Sequence, residues 1–229
     1  MGENHHSFSG LALRLTVVNY SKSHSSQRPP IAEHGERNVI RLQLAQNIVL
    51  KQLPKEAMAE LEPQLVIQEC GKGDCLVFQG DLDMAQCFIL DGILKRVVSS
   101  PSAKEMILRF AAERDIETSY AAWRLHTPAP YSIIAVTKAR VATLPLPAWV
   151  AYMERHPELK QAFEFQVMSL MSEVMAHTIT LHLLDAPGRV HRFMRKHAEL
   201  AERLPKKELA AYLNISPETL SRLKQRGKI

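Results

Sequence analysis

The sequence has little cysteine and no long apolar run, and each shortage excludes a class. Its cysteines, Cys70, Cys75 and Cys87, are three, an odd number and too few to staple a chain of 229 residues with disulfides. The reading is a cytoplasmic protein with reduced thiols. Nowhere do about 18 consecutive apolar residues occur, so neither a transmembrane helix nor a membrane partner is expected. The N-terminal region carries His5, His6 and Ser7 ahead of Leu11, Leu13 and Leu15, a patch that Arg14 interrupts, unlike the basic start and apolar run of a secretory leader. Nucleophile–base pairs, phosphate loops and metal-ligand spacings are also missing, so no catalytic or metal residues are assigned and no enzyme is expected. With 46% hydrophobic and 23% charged residues, the composition is otherwise that of an ordinary globular protein.

The net charge of +5 is unevenly spread. From Ala186 onward eleven basic residues (Arg189, Arg192, Arg195, Lys196, Arg203, Lys206, Lys207, Arg222, Lys224, Arg226, Lys228) face four acidic ones (Glu199, Glu202, Glu208, Glu218). That segment carries +7, and the 185 residues before it carry −2, from eighteen basic and twenty acidic side chains. A near-neutral body with a basic end points to a polyanionic partner.

Patterning divides the chain into four parts. Residues 1–38 are polar and poorly periodic, with Ser21, Ser23, Ser25, Ser26, Pro29 and Pro30 close together, and read as a flexible arm. Residues 39–150 begin with helical spacing (Leu50, Leu53, Met58, Leu61, Leu65), with Pro54 at a helix start, which predicts two short helices. From Val66 to Pro147 short apolar runs alternate with turn residues, as in a β sandwich or jelly-roll barrel. Asp91-Gly92 joins two such runs and reads as a hairpin turn. Residues 151–185 hold a helix of about 25 residues, roughly 37 Å long at 1.5 Å per residue. Along it Phe163, Val167, Leu170, Val174, His177 and Leu181 recur at spacings of 4, 3, 4, 3 and 4, an a/d seam suited to pairing with a second copy. The alternative for this helix is burial against its own barrel.

Ala186-Pro187-Gly188 breaks that helix and opens residues 186–229, where one helix over Arg189–Arg203, another over Lys206–Leu213 and a last one from Ser216-Pro217-Glu218 are predicted. The last two have the grammar of a helix-turn-helix. Leu209, Leu213, Ile215, Leu220 and Leu223 supply apolar contacts, and Ala210 is small where the helices approach. Asn214 tolerates a left-handed turn, Ser216 caps the second helix, and Pro217 fits its first position. Glu218, Ser221, Arg222 and Gln225 then share the exposed side. Glu can accept from a cytosine amino group and Arg can donate twice to guanine, so these four are the candidate base contacts. Lys206, Lys207, Thr219 and Arg226 are candidates for phosphate contact, which adds affinity without sequence choice.

At this point the chain resembles the Crp/Fnr family, the bacterial transcription regulators related to the cyclic-AMP receptor protein and the fumarate-nitrate reduction regulator. Two segments carry the resemblance: Lys72-Gly73-Asp74, Phe78-Gln79-Gly80-Asp81 and Phe88-Ile89-Leu90-Asp91-Gly92-Ile93-Leu94-Lys95 in order, and Pro205 to Lys224. It implies an α+β chain with an N-terminal cyclic-nucleotide-binding-like β jelly-roll barrel, a long dimerisation helix and a C-terminal helical DNA-binding domain. It also implies a homodimer on a pseudo-palindromic operator in double-stranded DNA, acting with RNA polymerase as an activator under a small-molecule effector. The ending Gly227-Lys228-Ile229 is similar to a wing-less subgroup.

The sequence departs from the family where cyclic AMP would bind. Members that take it use a Gly-Glu pair and an Arg followed by a small hydroxyl residue and Ala. Here Ile116-Glu117-Thr118-Ser119 lacks the glycine, and Tyr131-Ser132 stands where the arginine would be, so cyclic AMP is not the expected effector. Glu117, Ser119, Arg124 and Tyr131 mark the candidate effector pocket. Cyclic di-GMP and haem stay open, while the cysteines, fewer than a four-cysteine cluster needs, read as core. A reading from another class is a ligand-sensing adaptor or regulatory subunit whose C-terminal helices bind protein.

Overall fold

A computed structural model describes residues 34–225. They open with helix α1 (His34–Ala45), whose inward side is set by Ile40 and Leu44, four residues apart and buried. Residues 34–38 were expected within the arm. Residues 34–38 form the start of α1, because Arg37 and Asn38 can stay exposed on a helix anchored from Ile40 onward; residues 1–33 lie outside the described residues. After α1 the buried Asn47 fixes the chain direction: its amide donates to the Asp115 carbonyl at 2.9 Å and its carbonyl accepts from the Val49 N–H at 3.0 Å. A 3-10 turn, Leu50–Gln52, and helix α2 (Lys55–Leu61), with Pro54 as its N-cap, complete the entry to the sheets.

Eight strands follow: β1 (Val66–Cys70), β2 (Cys75–Val77), β3 (Ala85–Asp91), β4 (Leu94–Ser99), β5 (Glu105–Ala111), β6 (Ile116–Glu117), β7 (Ser132–Ala135) and β8 (Ala139–Pro145). They form two antiparallel four-stranded sheets, ordered β1-β8-β3-β6 and β2-β7-β4-β5. Helix α3 (Tyr120–Arg124) lies between β6 and β7.

Asp91-Gly92 does not close a hairpin. β3 and β4 belong to different sheets, and the dipeptide carries the chain from one to the other. Gly92 adopts φ 88°, and a side chain there would meet the Lys138 carbonyl at 2.3 Å, so the glycine serves a close crossing of two backbones. The consecutive hairpin here is β4–β5, closed by the Ser100 N–H on the Lys104 carbonyl at 2.9 Å.

Helix α4 (Leu146–Glu154) lies where strand and boundary were expected, because Pro145 and Pro147 begin a helix rather than punctuate a loop. It buries Leu146, Trp149, Tyr152 and Met153. Helix α5 (Pro157–Leu183) follows with 27 residues. Phe88, Trp149 and Phe163 then stack edge to face, with ring centroids 5.2 and 5.4 Å apart, joining β3, α4 and α5 in one core.

Ala186-Pro187-Gly188 starts helix α6 (Ala186–Lys196), because Asp185 caps it by accepting the Gly188 N–H at 2.9 Å. The single helix expected over Arg189–Arg203 is two: His197, at φ −135° and ψ 49°, separates α6 from α7 (Ala198–Arg203). Helices α8 (Lys206–Tyr212) and α9 (Pro217–Gln225) end the described chain. These helices pack on the sheet. Val97, Ile107 and Phe110 from β4 and β5 share a core with Val190, Phe193, Leu204, Leu209, Leu213 and Leu220. No helix among the described residues is long and apolar enough to cross a membrane.

Candidate nucleic-acid interface and the space between the sheets

The α8–α9 pair is built by local chemistry. Leu209, Ala210, Leu213, Leu220 and Leu223 are buried between the helices, and Ile215 is half-buried. Asn214 takes φ 51°, the left-handed value the turn requires, and an asparagine tolerates it at little cost. The Ser216 hydroxyl accepts the Thr219 N–H at 3.1 Å and so caps α9. From α6, Arg189 donates through Nη1 to the Leu213 carbonyl at 2.9 Å, which pins the turn. Two ion pairs fasten the helices to the sheets: Lys95 to Glu208 at 2.9 Å, and Arg203 to both oxygens of Glu113 at 2.7 and 2.6 Å.

Glu218, Arg222 and Gln225 are exposed along one side of α9, and Lys206 and Lys207 are exposed at the start of α8. The Glu218 carboxyl is held below its ordinary range by its own backbone N–H at the helix start and by the Ser216 hydroxyl. Ser221 is half-buried, and its hydroxyl proton goes to the Pro217 carbonyl at 2.8 Å, which leaves it an acceptor rather than a free donor. Thr219 is half-buried and accepts from the Ser216 hydroxyl at 3.1 Å. Arg226 lies outside the described residues.

The a/d seam of α5 is turned inward. Phe163 packs on Tyr120 and Trp149, Val167 and Leu170 join the same core, and His177 stacks on Tyr212 of α8 with centroids 3.7 Å apart; Val174 and Leu181 are half-buried. Phe163, Val167, Leu170 and His177 serve this chain's own core, because both the aromatic cluster of the barrel and the C-terminal helices lie against that side of α5. The side left exposed carries Phe165, Met168, Met171, Met175, Ile179 and Leu183. A repeat count alone does not tell these two apolar sides apart. Burial pushes the His177 imidazole down to about 4, against the opposing pull of the Tyr212 backbone.

Of the four effector-pocket candidates, Glu117, Ser119 and Tyr131 come to one region and Arg124 does not. Arg124 is exposed and donates to the Tyr120 hydroxyl at 2.9 Å, on the side of α3 that meets Glu164 through the Tyr120 hydroxyl. Glu117 lies fully buried between the sheets, one oxygen taking Arg96 Nη2 at 2.6 Å and the other Arg109 Nη1 at 2.6 Å. Arg109 also reaches the Asp115 carboxylate, and Arg96 lies 4.1 Å over the Tyr131 ring while the Tyr131 hydroxyl donates to the Thr118 carbonyl at 2.7 Å. Burial alone would depress Arg109, but Glu117 and Asp115 carry it above its ordinary value.

Sequence reasoning passed over Arg96 and Arg109. The available signal was their position: each interrupts an apolar strand run, and the two are directly paired across β4 and β5, an arrangement of like charges that needs a carboxylate between them. Both guanidinium groups, of Arg96 and Arg109, are thus engaged by carboxylates.

Cys70 and Cys87 are buried and Cys75 is half-buried; burial pushes the Cys87 thiol up to about 12, with Glu117 adding to the shift, so it behaves as an apolar side chain. Among the described residues no group of three or more His, Cys, Asp or Glu side chains is placed to hold a metal ion.

Residues 67–156, from β1 through α4, match the model of the cyclic nucleotide-binding domain. None of the curated protein sequences compared matches this chain. A regulatory protein of Silicibacter pomeroyi, described provisionally as cAMP-binding, is 25% identical with a TM-score of 0.56, over 82% of this chain and 87% of that one. The c-di-GMP responsive global regulator CLP of Xanthomonas campestris is 14% identical with a TM-score of 0.63, over 76% of this chain and 92% of that one. A CooA variant of Carboxydothermus hydrogenoformans is 16% identical, also at 0.63, over 80% and 84%. The similarity to CLP and CooA, at these identities, is one of fold: a cyclic nucleotide-binding domain of β sheets followed by helices.

Proposed function

We propose that this protein is a sequence-specific DNA-binding transcription regulator of the Crp/Fnr type, a homodimer that acts on a pseudo-palindromic operator together with RNA polymerase. The observation that carries the reading is the α8–α9 pair, with its left-handed Asn214, its Ser216 cap, and Glu218, Arg222 and Gln225 aligned on the exposed side of α9. In this reading α9 enters the major groove, Arg222 donates twice to a guanine, Glu218 accepts from a cytosine, and Ser221 accepts rather than donates. Lys206, Lys207 and Thr219 contact phosphates. The charge division supports it, since the basic excess lies in the helices that would meet DNA.

The dimer contact runs along the outward side of α5. Phe165, Met168, Met171, Met175, Ile179 and Leu183 form a stripe that one chain leaves in water, and a second copy of the same helix would cover it. The effector is not cyclic AMP, because the Glu117 cluster already uses Arg96 and Arg109. No chemistry is assigned to the protein, which acts by binding.

Footprinting of the full chain on its own upstream DNA and on genomic fragments tests the proposal. A protected two-fold symmetric site whose half-sites lie about one helical turn, roughly 34–36 Å, apart is expected. Binding that is equally weak on all sequences at every salt concentration would sink it and favour the protein-binding adaptor.

A further inference from the structure

A small pocket lies between β5, α5, α6 and α8, adjoining the Glu117 cluster through Arg109 and lined by no residue of α9. Its volume is about 60 Å³, enough for a few waters or one small tetrahedral anion. Three buried side-chain nitrogens on its lining residues have no hydrogen-bond partner in the protein: Arg109 Nε, His177 Nε2 and Arg189 Nε. Arg109 and His177 are only 5% and 9% exposed.

The other atoms of these groups are occupied. The Arg109 Nη atoms hold Glu117 and Asp115, Arg189 Nη1 holds the Leu213 carbonyl, and the His177 ring is stacked on Tyr212 with its N–H directed to the Tyr212 backbone. The idle nitrogens are therefore the edges left for the cavity. A buried polar atom without a partner is costly and uncommon in a native protein, and two guanidinium Nε–H donors beside one imidazole acceptor point to an occupant that mainly accepts hydrogen bonds and can donate one.

The charge around the space selects the sign. Arg109, Arg189, Arg192 and Lys196 line it against one carboxylate, Glu173, which Lys196 approaches to 3.6 Å. Counting Arg109 as neutralised by Glu117 and Asp115 still leaves a positive excess. Two guanidinium Nε–H groups aimed at one small space suit an acceptor with several oxygens, as phosphate has.

We infer that this pocket is a binding site for a small tetrahedral oxyanion of the inorganic phosphate class, held by Arg109 Nε–H and Arg189 Nε–H, assisted by Arg192, and donating its own O–H to the unpartnered Nε2 of His177. The site joins a strand of the sheets, the long helix and the C-terminal helices, so its occupant bridges all three. It stands independently of the DNA-binding reading.

The test uses the full chain titrated by calorimetry with inorganic phosphate in chloride buffer at constant ionic strength. Saturable binding of one phosphate per chain is expected, with sulfate competing. Arg189→Gln should weaken binding at least tenfold. Because it also removes the contact to the Leu213 carbonyl, the exposed Arg192→Gln is the second variant, with at least a fivefold loss expected. Ring-nitrogen spectra of the histidine-labelled chain should show the His177 resonance moving with phosphate. A moved His177 resonance together with weakened binding in either folded variant supports the site. No saturable binding, binding that leaves His177 unmoved, or binding that both variants retain overturns it.

Discussion

Glu117→Gln tests the cluster between the sheets most directly. The substitution keeps size and shape but removes the one carboxylate that Arg96 and Arg109 share, and neither guanidinium can turn to water, since their side chains are about 6% exposed. Arg109 keeps Asp115 while Arg96 keeps only the Thr118 carbonyl and the Tyr131 ring, so one buried charge loses its counterion. Breaking a buried pair from one side costs about 3–5 kcal/mol, and the amide oxygen that remains places the expectation near 3 kcal/mol. For a domain of this size that lowers the melting temperature by about 6–12 °C. Urea denaturation followed by circular dichroism measures the loss, with the m-value as a check that the unfolded state is unchanged. Adding Arg96→Met to Glu117→Gln should recover part of it, because the stranded charge is then gone. A single-variant loss under about 1 kcal/mol, or a double variant less stable than the sum of the two single changes, would refute the account of a charge cluster held by mutual pairing.

Three further outcomes are expected. Arg222→Ala should lower discrimination between operator and unrelated DNA by about 1–3 kcal/mol while weak general binding persists, which competition gel-shift assays would reveal; an unchanged specificity ratio contradicts base reading. Met175→Asp, on the outward side of α5, should give a folded monomer in light scattering, whereas Leu170→Asp, in the core, should unfold the chain; a dimeric Met175→Asp places the contact elsewhere. With His177 lowered to about 4 by burial, the unfolded chain binds the extra proton first, so this group's contribution is complete above about pH 6.5 and is lost as pH falls from there toward 4. Denaturation curves across that window should flatten in His177→Phe, and a variant with the same slope would mean the group is not responsible.

The fold was legible where local chemistry and tertiary packing agree. Pro54, Asn214 and Ser216 act through their own backbone geometry, so their roles follow from residue type and neighbours, and the structure places each as read. Asp91-Gly92 misled because two physical demands share one dipeptide. A tight turn and a crossing between sheets both need a positive φ, and only the Lys138 carbonyl, forty-six residues further on, decides between them. The α5 seam misled for a related reason: that helix is apolar on two sides, and the sequence does not say which side its own aromatic residues, Tyr120, Trp149 and Tyr212, will claim. At the candidate sites, the exposure of Glu218 and Arg222 on α9 was readable because a helix start orients them. Arg96 and Arg109 were not, since their partner Glu117 reaches them only through the closure of two sheets.

The alternation of β4 and β5 ties that closed cluster to the helix pair. Arg96 points between the sheets while its neighbour Lys95 reaches Glu208 on α8, and Arg109 meets Glu117 while Phe110 packs 5.1 Å from Tyr212. The two outward contacts are unequal. The Lys95–Glu208 pair is 12% and 21% exposed, within reach of water, and a pair of that kind contributes about 0–1 kcal/mol. Phe110 is 8% exposed in the core shared by strands and C-terminal helices, where a change to Ala costs about 3–5 kcal/mol. Phe110→Ala should therefore release α8 and α9 from the sheet, seen as faster hydrogen exchange in those helices while β3 and β8 keep their protection, and Lys95→Met should leave both regions as they were. If Lys95→Met freed the helices as far as Phe110→Ala does, electrostatics rather than apolar burial would hold the pair to the sheet.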